Sequence, residues 1–331
     1  MNLIVSMKYL VALDDHRHFG RAALACHVTQ PALSNALRAL EEGLGISIVK
    51  RGRNFAGFTS EGERVLASAR RMLREQELLQ QDLHSSEGHP QGQLLVGAVP
   101  TAMPIAARFV ALLQARHPGI VPTLRSLSSV ELETGLESLA LDMGLGYTER
   151  MDSSGSTLRV LPQYTEHYFL LRRADAGGGA GSGTNNGTSS GTGSRAGSLR
   201  AAAAMRWRDA AALPLCMLSG EMHNRTIVDR AFAAAGATVQ PAIETNSTVT
   251  LVMSVLAGQV CSVLPGALLG TVHGQGELEA LPLVEPHVEV PIAFLVHKTN
   301  RPSRTLDAAI AFAEHPDWLA QAVMHSRLPG G

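Results

Sequence analysis

The chain has 331 residues, 45% of them apolar, 17% charged and 4% aromatic, with a formal net charge of −1. It is too long for one ordinary domain, apolar enough for proper cores, and without an overall basic field to draw it to nucleic acid. The opening M-N-L-I-V-S-M-K-Y-L lacks the pattern of a secretory leader, and no window approaches the roughly 18 apolar residues of a membrane span. Three well-separated cysteines, Cys26, Cys216 and Cys261, fit reduced thiols, so a cytoplasmic location and no membrane partner are expected.

Charge is unevenly placed. Residues 1–58 hold seven basic against four acidic side chains, a net +3, which leaves −4 for the rest. A basic head on a mildly acidic body suits a DNA reader joined to a separate sensing part.

The first helix is read over Asn2–Asp14, with Leu3, Met7, Leu10 and Val11 on one side. A short Ala-rich helix from Phe19 breaks at His27–Val28, and a further helix opens at Thr29-Gln30-Pro31. Thr29 can cap it, and Pro31 fits the first turn, where no N–H is needed. Leu33, Leu37, Leu40 and Leu44 form the expected buried stripe. Pro31, Ser34, Asn35 and Arg38 then fall on the opposite face, short, polar and partly basic, as a helix laid in a major groove requires. Lys50-Arg51-Gly52-Arg53 follows as a basic hairpin.

These residues closely resemble the winged helix-turn-helix of LysR-type transcriptional regulators over residues 3–62. The match is carried by Ala22-Ala23, V-T-Q-P-A-L-S from Val28 to Ser34, Leu40-Glu41, Leu44-Gly45 and T-S-E-G from Thr59 to Gly62. One departure is Gly20, where the family usually caps its second helix with Ser or Thr. The resemblance implies that Thr29, Gln30, Pro31, Ser34, Asn35 and Arg38 meet bases or adjacent backbone. On the wing, Lys50, Arg51 and Arg53 meet phosphate or the minor groove.

Ser60-Glu61-Gly62-Glu63 reads as a capping box that opens a long helix. Val65, Ala69, Met72, Gln76, Leu79 and Leu83 recur along it as a heptad seam, expected to form a dimer contact with Gln76 fixing register. The family resemblance agrees and implies a homotetramer built of two dimers. Ser85–Gly92 is a hinge by composition.

Beyond it, strands and helices alternate. Leu94–Val99, Val121–Leu127, Leu141–Gly146, His167–Leu171, Leu213–Leu218, Ala242–Thr245, Val260–Leu264 and Pro291–His297 read as strands. Ala102–Arg116, Val130–Leu139, Asn224–Ala235, Val249–Ala257 and Leu306–Val323 read as helices. This is an α/β pattern with parallel sheets, and the resemblance implies a two-lobed, periplasmic-binding-protein-like effector domain. The expected organisation is a DNA-binding head over 1–59, a linker and dimerisation helix over 60–88, and an effector domain over 92–331. Lobe I takes about 92–161 plus 269–331 and lobe II about 162–268, with crossings near Leu161–Tyr164 and Pro265–Leu268. Residues 176–198 are Gly, Ser, Thr, Asn and Ala with one Arg, and are expected to be disordered.

In open α/β sheets, ligands bind beyond the carboxyl ends of strands, at helix N-termini. Thr101, Ser128 and Ser129, the Ser219–Arg225 segment with His223, Asn224 and Arg225, and Asn246, Ser247 and Thr248 all fall there. The resemblance implies an interlobe effector site, and these groups suit a small carboxylate. Promoter DNA, a small-molecule effector and RNA polymerase are the expected partners.

Two alternatives are weaker. In peroxide-sensing family members the sensing cysteine would align near His223 and its partner near Phe232, and neither is Cys here. Cys216 reads as a small buried hydrophobe. A two-lobed binding protein without DNA function conflicts with the head. No enzyme is expected: Gly144-Leu145-Gly146 lacks a third glycine, and no triad or paired acid is legible. No cofactor is expected. Nor is a metal site, since His16 and His18 have no companion Cys or carboxylate cluster.

Overall fold

A computed structural model describes residues 2–50, 55–84, 89–149, 157–174, 200–201, 203–272, 277–298 and 303–327. The expected disorder of 176–198 and the wing residues Arg51 and Arg53 lie outside them. No helix among the described residues is long and apolar enough to cross a membrane.

The head comprises α1 (Leu3–His16), α2 (Phe19–Ala25) and α3 (Gln30–Leu44), followed by the long α4 (Ser60–His84). Its core joins Met7, Leu10 and Leu13 of α1 to Ala22 and Ala23 of α2, Leu33, Leu37 and Leu40 of α3, and Ile48, Phe58, Leu66 and Ala69. Between α2 and α3 the chain reverses at His27, in the left-handed region at φ 54°, and the Val28 N–H donates to the Ala23 carbonyl at 3.0 Å.

Three local expectations are corrected. The cap of α2 is His18, whose Nδ1 accepts from the Gly20 and Arg21 N–H groups. Gly20 lies inside the helix, and a side chain there would crowd that imidazole. Leu44 is exposed rather than part of the buried stripe, because Gly45 at φ 68° ends the helix there. The cap of α4 is Thr59 rather than Ser60: its hydroxyl accepts from the Gly62 N–H at 2.9 Å and donates to the Ser47 carbonyl at 2.6 Å. Gly62 is required because a Cβ there would lie 2.1 Å from the Ile48 carbonyl oxygen. Thr59 and Gly62 thus lock the wing to the start of α4.

The seam of α4 divides. Ala69 is buried and Val65 half-buried against the chain's own head, whereas Met72, Leu79 and Leu83 are exposed. Gln76 is half-buried and lines a groove against α1 and α2. Arg70 ties α4 to α1 through Asp14 at 2.7 Å and Asp15 at 2.8 Å.

The remaining residues build one continuous sheet whose halves form two lobes. First come β1 (Gly92–Ala98), α5 (Met103–Arg116), β2 (Ile120–Ser126), α6 (Ser129–Glu137), β3 (Met143–Tyr147) and the long β4 (Leu158–Arg173). Then follow β5 (Arg200–Ala201), β6 (Met205–Arg206), α7 (Trp207–Ala210), β7 (Leu215–Leu218), α8 (His223–Ala234), β8 (Ile243–Thr245), α9 (Thr248–Ala257), β9 (Cys261–Pro265) and α10 (Gly266–Leu269). The chain ends with β10 (Leu278–Val284), β11 (Glu289–His297), α11 (Arg304–Ala313) and α12 (Pro316–His325).

Strand order is β2-β1-β3-β11-β4-β9-β7-β8, with β10 paired to β4. Within each lobe β1/β2, β1/β3, β7/β8 and β7/β9 are parallel. The crossing strands β4 and β11 run antiparallel. Outgoing β4 serves both lobes, pairing with β11 up to His167 and with β9 and β10 beyond it.

The return crossing therefore comes at Glu289, not near Pro265–Leu268, because β10 extends the lobe II end of β4. The expected Leu306–Val323 helix is two helices. Pro316 cannot donate an N–H and disfavours helical backbone at His315, so the chain breaks there and His315 caps α12.

Candidate DNA-binding face and interlobe cleft

Burying Leu33, Leu37 and Leu40 turns the other side of α3 outward. Gln30, Pro31, Asn35 and Arg38 are exposed and Ser34 is half-buried. Thr29 is used by the fold, since its hydroxyl accepts from the Ala32 N–H at 3.4 Å. An open groove of about 740 Å³ runs between α3 and the wing, with Ser34, Arg38 and the exposed Lys50 along it. Glu41 also lines it, but its carboxylate accepts the Ile48 and Val49 N–H groups at 2.6 and 3.0 Å. That acid anchors the wing, and the exposed edge of the groove carries Arg38, Lys50 and Glu42.

In the effector domain, Thr101 sits in a 3-10 turn ahead of α5, Ser128 and Ser129 open α6, and His223 and Asn224 open α8. All five line one deep cavity of about 10 Å³ between the lobes, room for about one water. Asn246 and Thr248, with Ser247, line an adjoining cavity of about 660 Å³ that shares Pro100, Ser128 and Met222 with the deep one. Fold roles account for several of these groups. Ser128 and Glu131 complete a capping box on α6, and Ser247 caps α9.

Arg225 departs from expectation. It lines neither cavity, and its guanidinium donates to Asp229 at 2.8 Å and the Leu218 carbonyl at 2.8 Å. It therefore closes the base of α8 rather than presenting a free cation. Ser129 is the opposite case: its Oγ is buried, lines the deep cavity and has no hydrogen-bond partner among the described residues. No side chain caps the N-terminus of α8.

Below the deep cavity lies a polar layer that the sequence reading missed. Thr101 and Tyr147 hydroxyls are 2.8 Å apart, and Asn224 donates to the hydroxyls of Tyr147 at 3.3 Å and Tyr168 at 3.0 Å. Tyr164, Glu166 and Tyr168 share one face of β4, and all are buried. Neither Glu166 oxygen has a partner among the described residues. Burial pushes its carboxyl up to about 8, and holds all three phenols above their ordinary value, with the Glu166 charge adding to burial in each case. The signal available in the sequence was the acid flanked at i±2 by tyrosines, one face of a strand.

The cysteines do not form a pair. Cys216 is opposite Ser262 and Leu215 opposite Cys261 in the parallel β7/β9 ladder. Side chains alternate along each strand, so Cys216 and Cys261 project from opposite faces of the sheet. Cys216 is buried, which raises its thiol pKa, and Cys26 is remote in the head, at the end of α2.

A family described as the bacterial regulatory helix-turn-helix protein, lysR family, matches residues 4–63. The LysR substrate binding domain matches residues 87–316. The chain belongs to the LysR family. This LysR chain is 35% identical over 144 residues to a hydrogen peroxide-inducible genes activator of Pectobacterium carotovorum subsp. carotovorum, covering 43% of this chain and 47% of that one. It is 36% identical over 141 residues to the DNA-binding transcriptional dual regulator OxyR of Escherichia coli (strain K12), covering 42% and 46%. The chain spans about half the length of the curated relatives it matches. Among solved structures, a full-length OxyR variant from Pseudomonas aeruginosa is similar at TM-score 0.67 and 21% identity, covering 95% of this chain and 98% of that one. Full-length CbnR complexed with its target DNA is similar at TM-score 0.63 and 18% identity, covering 97% and 99%. At such identities the likeness establishes the LysR fold and nothing finer.

Proposed function

We propose that this LysR chain is a DNA-binding transcriptional regulator, not an enzyme, controlled by a small molecule between its lobes. The observation that carries the reading is the exposed polar face of α3, with Asn35 and Arg38 outward beside Lys50. In this reading Gln30, Pro31, Ser34, Asn35 and Arg38 meet base edges or neighbouring backbone, and Lys50 meets phosphate. The exposed Met72, Leu79 and Leu83 of α4 support a homodimer through that helix, with two dimers forming a tetramer that engages promoter and RNA polymerase.

The effector is a small carboxylate. With Arg225 already paired, its charge is met at the N-terminal end of α8 and by hydroxyls, the unpartnered Ser129 Oγ first. Because the deep cavity holds about one water, binding requires the lobes to part, and that motion is what reaches the heads. Redox control is favoured by the names of the relatives alone, and the cysteine positions oppose it.

The test is footprinting on the promoter regions flanking the chain's own gene. Arg38→Ala is expected to weaken specific binding by about 1–3 kcal/mol, as for a lost base contact. An unchanged footprint, or equal affinity for random DNA in the unaltered protein, rejects the reading.

A further inference from the structure

The waist between the lobes carries a cluster that plays no part in the cleft. His167 is the last residue of β4 paired to β11, and its cross-strand partner is Glu289, the first residue of β11. Directly paired residues project from the same face, and the ring centroid of His287, two residues before Glu289, lies 6.0 Å from that of His167. Glu289 Oε1 is 3.3 Å from His287 Nε2 and 3.9 Å from His167 Nδ1. One ligand atom from each of the three residues lies within 4.8 Å of the other two.

A carboxylate between two imidazoles offers a metal ion one anionic oxygen and two nitrogen donors. Tetrahedral zinc with bonds of roughly 2.0–2.2 Å spaces its ligands about 3.3–3.5 Å apart. The His287–Glu289 spacing already meets that, and His167 closes the remainder by a small side-chain movement.

We infer that His167, His287 and Glu289 form a surface site for one divalent transition metal, with solvent in the fourth position. Two imidazoles and one carboxylate select zinc, cobalt or nickel over magnesium and calcium, which prefer all-oxygen shells. The site draws ligands from the strand leaving lobe I and from the strand returning to it. A bound ion therefore clips the two crossings together where the lobes must hinge. This inference does not depend on the effector or DNA assignments.

The experiment uses the full chain without an affinity tag. Zinc is titrated by calorimetry, cobalt by its visible absorption, and magnesium serves as the control. The expected result is one saturable zinc or cobalt equivalent per chain and no magnesium binding. His287→Ala and Glu289→Gln, both at exposed positions, should each weaken zinc binding by about tenfold or more, the scale seen when a metal site loses support. No saturable zinc binding, or binding unchanged in both exposed-ligand variants, overturns the site.

Discussion

Arg74 of α4 and Asp142, just ahead of β3, form an ion pair with both side chains almost wholly buried. Asp142 also accepts the Leu95 N–H at 2.7 Å, so one carboxylate fastens the linker helix to the central strand of lobe I. The linker is thus a packed part of the effector domain. Gln81 reinforces the joint against Gly92, where a Cβ would collide with its side chain.

Removing one member of such a pair strands a buried charge. Arg74→Ala should destabilise the protein by about 3–5 kcal/mol in urea unfolding. Arg74→Met combined with Asp142→Asn keeps the acceptor for Leu95 and removes both charges, so it should recover at least half of that loss. Additive losses in the double variant would show that the pair is not the source of the cost.

Glu166 makes stability depend on pH. Its folded-state pKa is raised to about 8, while in the unfolded chain it stays near 4.3. Between these values the native state holds a proton that the unfolded state has lost, so stability falls as pH rises from about 4.3 to about 8 and then levels. Glu166→Gln should flatten that slope and gain roughly 3–5 kcal/mol above pH 8. Parallel stability–pH curves for the two proteins would show that Glu166 is not titrating in this window.

Thr101 and Tyr147 share a hydrogen bond in the buried layer under the cleft. Thr101→Val should cost about 1–3 kcal/mol, as for a buried hydrogen-bonding group left with one partner fewer. It should abolish the effector response of a reporter at the flanking promoter while leaving DNA affinity intact. Normal induction in this variant would move the effector site elsewhere.

Because Cys216 and Cys261 face opposite sides of the β7/β9 ladder, hydrogen peroxide should form no disulfide between them. Mass analysis of peroxide-treated protein should find no internal crosslink, and promoter affinity should match that of the Cys216→Ser, Cys261→Ser double variant. A peroxide-dependent change in affinity confined to the unaltered protein would restore the redox reading.

Local order was legible in the residues themselves. The spacing of Leu33, Leu37 and Leu40, the Thr29-Gln30-Pro31 start and the alternation of strands and helices follow from periodicity and capping, which act over a few neighbours. Errors of a similarly short range arose where two adjacent residues compete for one role, as Thr59 and Ser60 do for the cap of α4. Only the tertiary structure decided the rest. Arg225 read as a free cation until Asp229 and the Leu218 carbonyl were seen to hold it. Glu166 acquires its raised pKa from burial, which no spacing reveals. His167 and Glu289 stand 122 positions apart in the chain and become neighbours through a strand register alone. Contacts of that kind depend on where the backbone returns, and short-range patterns carry no record of it.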